Sequence, residues 1–241
     1  MKRAVQWAVG LGMSGLLLYL ALKDVNGQEA LHAMTHVAAW VYPIYFIQLC
    51  VTYVLRTLRW QLQMERLTGR KMPFSNAFAI CSVSFAGTFL LPFRLGEFIR
   101  PYLAAQQGYS RKSVALATVA LERVLDGLVM TGFLAVVLTQ LPAHKVPVVI
   151  TMGGYVALVV FGSALAVFIA AHRWRDLSLR FWSALLTPIS KRLADKALGM
   201  LAAFIEGLKS LPTVRDVVVY MSLTVAYWII NGLGMWALAV G

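Results

Sequence analysis

The sequence predicts an all-α integral membrane protein: a polytopic helical bundle of about five spans, one re-entrant helical hairpin and cytoplasmic amphipathic helices. Composition is the first observation behind this. Hydrophobic residues are 60% of the chain, charged residues 13% and the mean hydropathy is +0.72, whereas soluble domains carry roughly 25% charge. The second is the set of uncharged runs at 4–22, 37–55, 72–93, 127–144, 146–172 and 217–241, each near or above the ~18–20 residues that cross ~30 Å of hydrocarbon. A β-barrel would show short alternating segments instead. The third is the placement of lysine and arginine, which sets the topology below.

Span one is expected at 4–22. Lys2 and Arg3 precede it, and no small-residue cleavage site stands before Lys23, so it reads as a signal anchor with a cytoplasmic N-terminus. The segment "GQEALHAMTHVAAW" places His32 and His36 four residues apart. With no third ligand beside them, they read as a wet helix face, and no metal site is expected. Span two covers 37–55 and continues as the basic stretch "RTLRWQLQMERLTGRK". Cys50 and Cys81 lie in apolar runs and read as small core residues, neither disulfide nor metal ligand. The hairpin is expected at 74–107, span three at 113–141, span four at 146–171 and span five at 217–241. Between the last two, residues 173–210 show helical apolar spacing divided by Pro188. They read either as amphipathic helices lying on the cytoplasmic leaflet or as a helical hairpin packed on the bundle.

Counting cations selects the hairpin. If 72–93 crossed fully, the cytoplasmic side would hold eight Lys/Arg and the outside thirteen. If 74–91 dips in, turns at Pro92 and returns through 93–107, the inside holds seventeen and the outside only Lys23 and Lys145. The cytoplasmic bias of loop cations favours the second arrangement. The arms would be about 27 and 22 Å long at 1.5 Å per residue, so neither has to span. The net charge of +12 flanks apolar runs, which suits anionic lipid headgroups and excludes nucleic acid as the partner.

Chemistry concentrates in two motifs. In "LLPFRLGEFIRPY", Pro92 ends the inbound arm and suits the first turn of a new helix. Arg94 would sit in that turn near its free N–H groups, with Glu97 and Arg100 following at three-residue steps close to one face. Pro101 removes the N–H that would bind the Glu97 carbonyl. Ala77, Ser84, Ala86 and Gly87 on the inbound arm allow close helix contact. In "ALERVLDG", Glu122 and Asp126 share a helix face, with Arg123 about 100° away. Intramembrane charges face inward and pair with one another. These six side chains therefore either neutralise one another to hold the hairpin or leave an arginine for an anionic ligand.

The block "LLPFRLGEFIRPYLAAQQGYSRKSVALATVALERVLDGL" resembles the lysylphosphatidylglycerol synthase transmembrane-region (flippase-like domain) family, which includes the membrane half of the multiple peptide resistance factor. The matching features are the turn Pro-x-Arg-Leu-Gly-Glu with Pro92, Gly96 and Glu97, then Arg100, the Ser110 and Ser113 region, and Glu-Arg-x-x-Asp-Gly from Glu122 to Gly127. The resemblance implies a bacterial or archaeal inner-membrane protein that handles a phospholipid or a polyprenyl-linked lipid. Family members usually continue into a second Pro/Gly-rich turn, an inverted counterpart of the first. This chain stops at "NGLGMWALAVG", so that part is expected to be missing. No aminoacyl-transferring domain accompanies it, so lysyl transfer is not expected of this chain alone. The expectation is a flippase-like protein that binds and translocates an anionic lipid, with Arg94, Glu97, Arg100, Glu122, Arg123 and Asp126 at the headgroup and Pro92, Gly96 and Pro101 shaping the turn. The alternatives are a scaffold subunit for a glycosyltransferase or lipid synthetase, and a small-solute transporter. Membrane lipids, such an enzyme and further copies of the chain are the expected partners. With no nucleophile–base set, no metal spacing and no cofactor motif, no enzyme activity is expected.

Overall fold

Leu91 explains how the middle of the chain reverses. It precedes Pro92 and is extended (φ −104°, ψ 138°), because a following proline ring disfavours the helical region. The helix before it, α2 (Phe74–Leu90), therefore stops there. A 3-10 segment, Pro92–Phe98, and the short α3, Ile99–Gln106, carry the chain back. The computed structural model describes residues 38–142, 146–188, 191–210 and 213–240, plus five positions nearer the N-terminus. Most of the expected first span, and both His32 and His36, lie outside the described residues, as does Lys145.

The other helices are α1 (Val41–Thr68), α4 (Lys112–Gln140), α5 (Val148–Arg173), α6 (Arg175–Leu186), α7 (Lys191–Gly207) and α8 (Val214–Val240). No strand occurs among the described residues. By length and composition α1, α5 and α8 can each cross a membrane. The helix α4 is as long, at 29 residues, and carries Glu122, Arg123 and Asp126 along its length. Gly69 closes α1 in a left-handed conformation (φ 65°), its N–H donating to the Glu65 carbonyl, as glycine does at helix C-termini.

Two rungs close the hairpin. Ser84 Oγ donates to the Gly96 carbonyl at 2.7 Å, and Asn76 Nδ2 donates to Tyr109 Oη at 2.7 Å. Gly96 is obligatory, because a Cβ there would collide with the Thr88 nitrogen and the backbone of Gly87 and Ser84. Ala77, Ser84 and Gly87 are buried in this contact, while Ala86 faces outward. Both arms come out near 26 Å, from 17 residues of α-helix against seven of 3-10 and eight of α-helix. Pro73 and Tyr109 thus lie at one end of the bundle. Arg66 pairs with Asp216 at 2.7 Å and Arg111 with Glu206 there, so the C-terminal end of α1 and the starts of α4 and α8 meet at this basic end.

Around the hairpin, α8 packs along α1, and α5 and α7 along α4. Close approaches fall at glycines. A Cβ on Gly127 would enter the Phe161 ring of α5, and one on Gly207 would strike the Val114 carbonyl and Ala117. The helix α5 buries no residue, so its apolar surface is left for lipid. Of the two readings of 173–210, α7 takes the packed one, burying Ala194, Ala203 and Ile205. In α6 the apolar Leu177, Phe181, Trp182 and Leu185 are exposed instead. Cys81 joins the core beside Trp60, Met64 and Ile80. Cys50, expected in the core, is exposed on α1.

Candidate functional site

Charge on three elements meets between the hairpin and the bundle. From α3, Arg100 is fully buried and forks onto Glu122 of α4, with Nη1 to Oε2 at 2.8 Å and Nη2 to Oε1 at 3.4 Å. Both side chains are 1% exposed. From α1, Arg59 Nη2 donates to Asp126 Oδ1 at 2.6 Å and lies 3.0 Å from Tyr220 Oη of α8. Arg59 also lies over the rings of Tyr220 and Tyr227 at 5.0 and 5.3 Å, and Trp228 Nε1 donates to Asp126 Oδ1 at 3.3 Å. Arg123 joins the groups, lying 2.6 Å from Glu122 Oε1, 3.2 Å from Asp126 Oδ2 and 3.6 Å from Glu97 Oε1.

All six residues expected at the site therefore join one ion-pair network. Arg94 stands at its exposed edge. Its side chain is 71% exposed, and its nearest carboxylate oxygen, on Glu97, is 3.4 Å away. Its backbone is left-handed at φ 56°, a conformation that costs an L-residue roughly 1–2 kcal/mol. Two expectations are corrected here. The return arm opens with a 3-10 turn rather than an α-helix, because the chain must reverse tightly enough to lay Gly96 on α2. Arg94 and Arg100 share no face, since the left-handed residue and the change of helix type turn one outward and the other into the bundle. Pro101 is buried beside Arg100.

Arg59 was missed. Counted with Arg56 as a cytoplasmic loop cation, it lies inside α1, which runs on to Thr68. The signal was in the sequence: Gln48, Thr52, Arg59 and Gln63 recur at helical spacing and all are buried. Opposite them on α8, Asp216, Tyr220, Thr224 and Asn231 form a second polar stripe, joined to the first by a 3.3 Å hydrogen bond from Gln48 to Asn231. An apolar crevice of about 420 Å³ between α4 and α5, lined by Leu134, Leu138, Tyr155 and Leu158, has none of these charges in its lining.

Turn motif and acidic helix motif are thus one structural unit, with Arg100 of the first locked onto Glu122 of the second. A family model described as the lysylphosphatidylglycerol synthase TM region matches residues 7–241. The chain belongs to that family. Neither curated proteins nor solved structures give a match. Membership in the lysylphosphatidylglycerol synthase TM-region family, together with the apolar helices, makes this a membrane protein of a lipid-related family. Within it, Gly127 of the acidic motif has a packing role, giving room for the Phe161 ring of α5 against α4.

Proposed function

We propose that the protein binds the headgroup of an anionic phospholipid or polyprenyl-linked lipid at the hairpin and passes it across the membrane, without making or breaking a covalent bond. The observation that carries this is Arg94: a guanidinium 71% exposed, on a strained backbone at the hairpin tip, reaching only Glu97 at 3.4 Å, while the hairpin's other cation, Arg100, is buried on Glu122. Backbone strain is retained where function needs a side chain held in place, and a guanidinium forks onto phosphate oxygens. The hairpin is read as re-entrant, with the basic end facing the cytoplasm of the cell by the positive-inside rule. The tip then lies about 26 Å from that end, within a ~30 Å core, where irregular backbone needs protein or a watery cavity around it. The test is reconstitution in vesicles containing headgroup-labelled phosphatidylglycerol and a membrane-impermeant quencher. Wild type should expose inner-leaflet label to the quencher, and Arg94→Ala should not. Equal exposure in protein-free vesicles would refute translocation.

A further inference from the structure

One cation near the network has no place in it. Arg56 lies on α1 one helical turn before Arg59 and Trp60, half-buried, its guanidinium carbon 5.2 Å from the centre of the Phe85 ring on α2. Among the described residues it makes no hydrogen bond and no ion pair. It is not remote from the charges, for Arg100, Glu122, Arg123 and Tyr227 are its electrostatic neighbours. Every carboxylate there is taken: Glu122 by Arg100 and Arg123, Asp126 by Arg59 and Arg123, Glu97 by Arg94 and Arg123. The apolar side of the position is a row of rings, with Phe85 edge-on to Tyr53 at 4.7 Å and to Phe89 at 4.8 Å.

We infer that Arg56 is the anchoring cation for a phosphate-class anion that enters between α1 and α2. The guanidinium carbon lies over the Phe85 ring, and its N–H groups meet no carboxylate among the described residues. That leaves them for phosphate oxygens, which arginine can bind two at a time. An isolated charge within a membrane helix is costly and takes a partner, and no side chain described supplies one. The assignment deepens the lipid-binding reading by naming a second headgroup contact, and it shares with that reading only the source of the phosphate.

Because Arg56 holds no carboxylate, Arg56→Gln strands no charge and should fold as wild type does. Thermal midpoints of wild type, Arg56→Gln and Arg56→Lys in neutral detergent would be followed against phosphatidylglycerol, diacylglycerol and inorganic phosphate. Phosphatidylglycerol should raise the wild-type midpoint, and Arg56→Gln should need about ten- to a hundredfold more lipid for the same rise, the loss expected of one charge-assisted contact. Arg56→Lys should fall between, since an ammonium cannot fork. Equal responses of wild type and Arg56→Gln to phosphatidylglycerol overturn the Arg56 site and leave the lipid reading standing. A response to inorganic phosphate alone, lost in Arg56→Gln, keeps the site and removes the lipid reading. A response to diacylglycerol equal to that of phosphatidylglycerol, or a lower ligand-free midpoint for Arg56→Gln, overturns the site.

Discussion

Replacing Glu122 by glutamine removes one charge at the most enclosed point of the network. Glu122 is 1% exposed and receives Arg100 at 2.8 and 3.4 Å and Arg123 at 2.6 Å. Glutamine keeps the volume and one acceptor, but turns the second oxygen into an amide N–H₂ that faces guanidinium donors. Arg123 can fall back on Asp126 and Glu97; Arg100, fully buried, cannot. Removing one partner of a buried ion pair costs about 3–5 kcal/mol, because the survivor is left charged in a poor dielectric. In a chain of this size each kcal/mol moves the thermal midpoint by about 2–4 °C, so Glu122→Gln should lower it by about 6–20 °C. Intrinsic tryptophan fluorescence in detergent is a direct assay, since the Trp60 ring centre lies 6.0 Å from the Arg100 guanidinium and reports on this position. The double variant Arg100→Met, Glu122→Leu removes both charges while keeping apolar volume, and should recover most of the loss. A fall of less than about 2 °C in Glu122→Gln, or a double variant no more stable than the single one, would refute the view that the pair's coupling holds the hairpin to α4.

The other predictions probe the turn and the topology. Arg94→Ala and Arg94→Lys should keep the wild-type midpoint, with lipid retention abolished in the first and weakened in the second. Recovery of retained lipid on adding Glu122→Gln or Asp126→Asn to Arg94→Ala would show that Arg94 only balances charge. Arg94→Gly should raise the midpoint by a few degrees, since glycine adopts the left-handed backbone freely, while co-purified phospholipid is lost; a lowered midpoint would refute the strain. Gly96→Ala should lower the midpoint by about 2–12 °C, because its Cβ meets α2 backbone that cannot yield, and an unchanged midpoint would refute that contact. In a chain with Cys50 and Cys81 replaced, single cysteines at positions 111 and 175 should be labelled only from the cytoplasm, and one at 145 only from outside. Outside labelling at 111 would rule out a re-entrant hairpin.

The turn was legible because proline acts locally. Leu91 and Pro92 stop α2 whatever surrounds them, and Gly96 two residues after the first arginine marks a backbone contact. The acidic motif was legible for a related reason, since Glu122 and Asp126 share a face by helical period alone. The partner of each charge was not legible. Arg100 and Arg94 look equivalent along the chain, and only the left-handed residue at Arg94 and the switch from 3-10 to α-helix send one inward and the other out. Arg59 was lost to a different rule. Lysine and arginine beyond an apolar run are ordinarily loop cations, and 37–55 is already long enough to span. Only the polar stripe on α1, read against its counterpart on α8, reveals that the helix continues and buries Arg59 against Asp126. The packing of α7 was open because an amphipathic face takes lipid and protein alike, and the decision falls to Gly207, which lets α7 close on Val114 and Ala117.

Charge balance separates a structural brace from a binding site. A brace needs three cations for its three carboxylates, and Arg59, Arg100 and Arg123 supply them. Arg56 and Arg94 are then surplus: five arginines against Glu97, Glu122 and Asp126 leave a formal +2. Both surplus cations touch the hairpin: Arg56 lies over Phe85 with no carboxylate of its own, and Arg94 at the tip shares Glu97 with Arg123 while staying 71% exposed. Placed in a membrane, a surplus of this kind persists only where an anion or water offsets it. A phosphodiester headgroup with one charge would leave +1, and a phosphomonoester with two would leave none. On the lipid-binding reading, retention should therefore follow headgroup charge, with phosphomonoester lipids above phosphatidylglycerol and zwitterionic lipids below both. A brace has no reason to rank them at all.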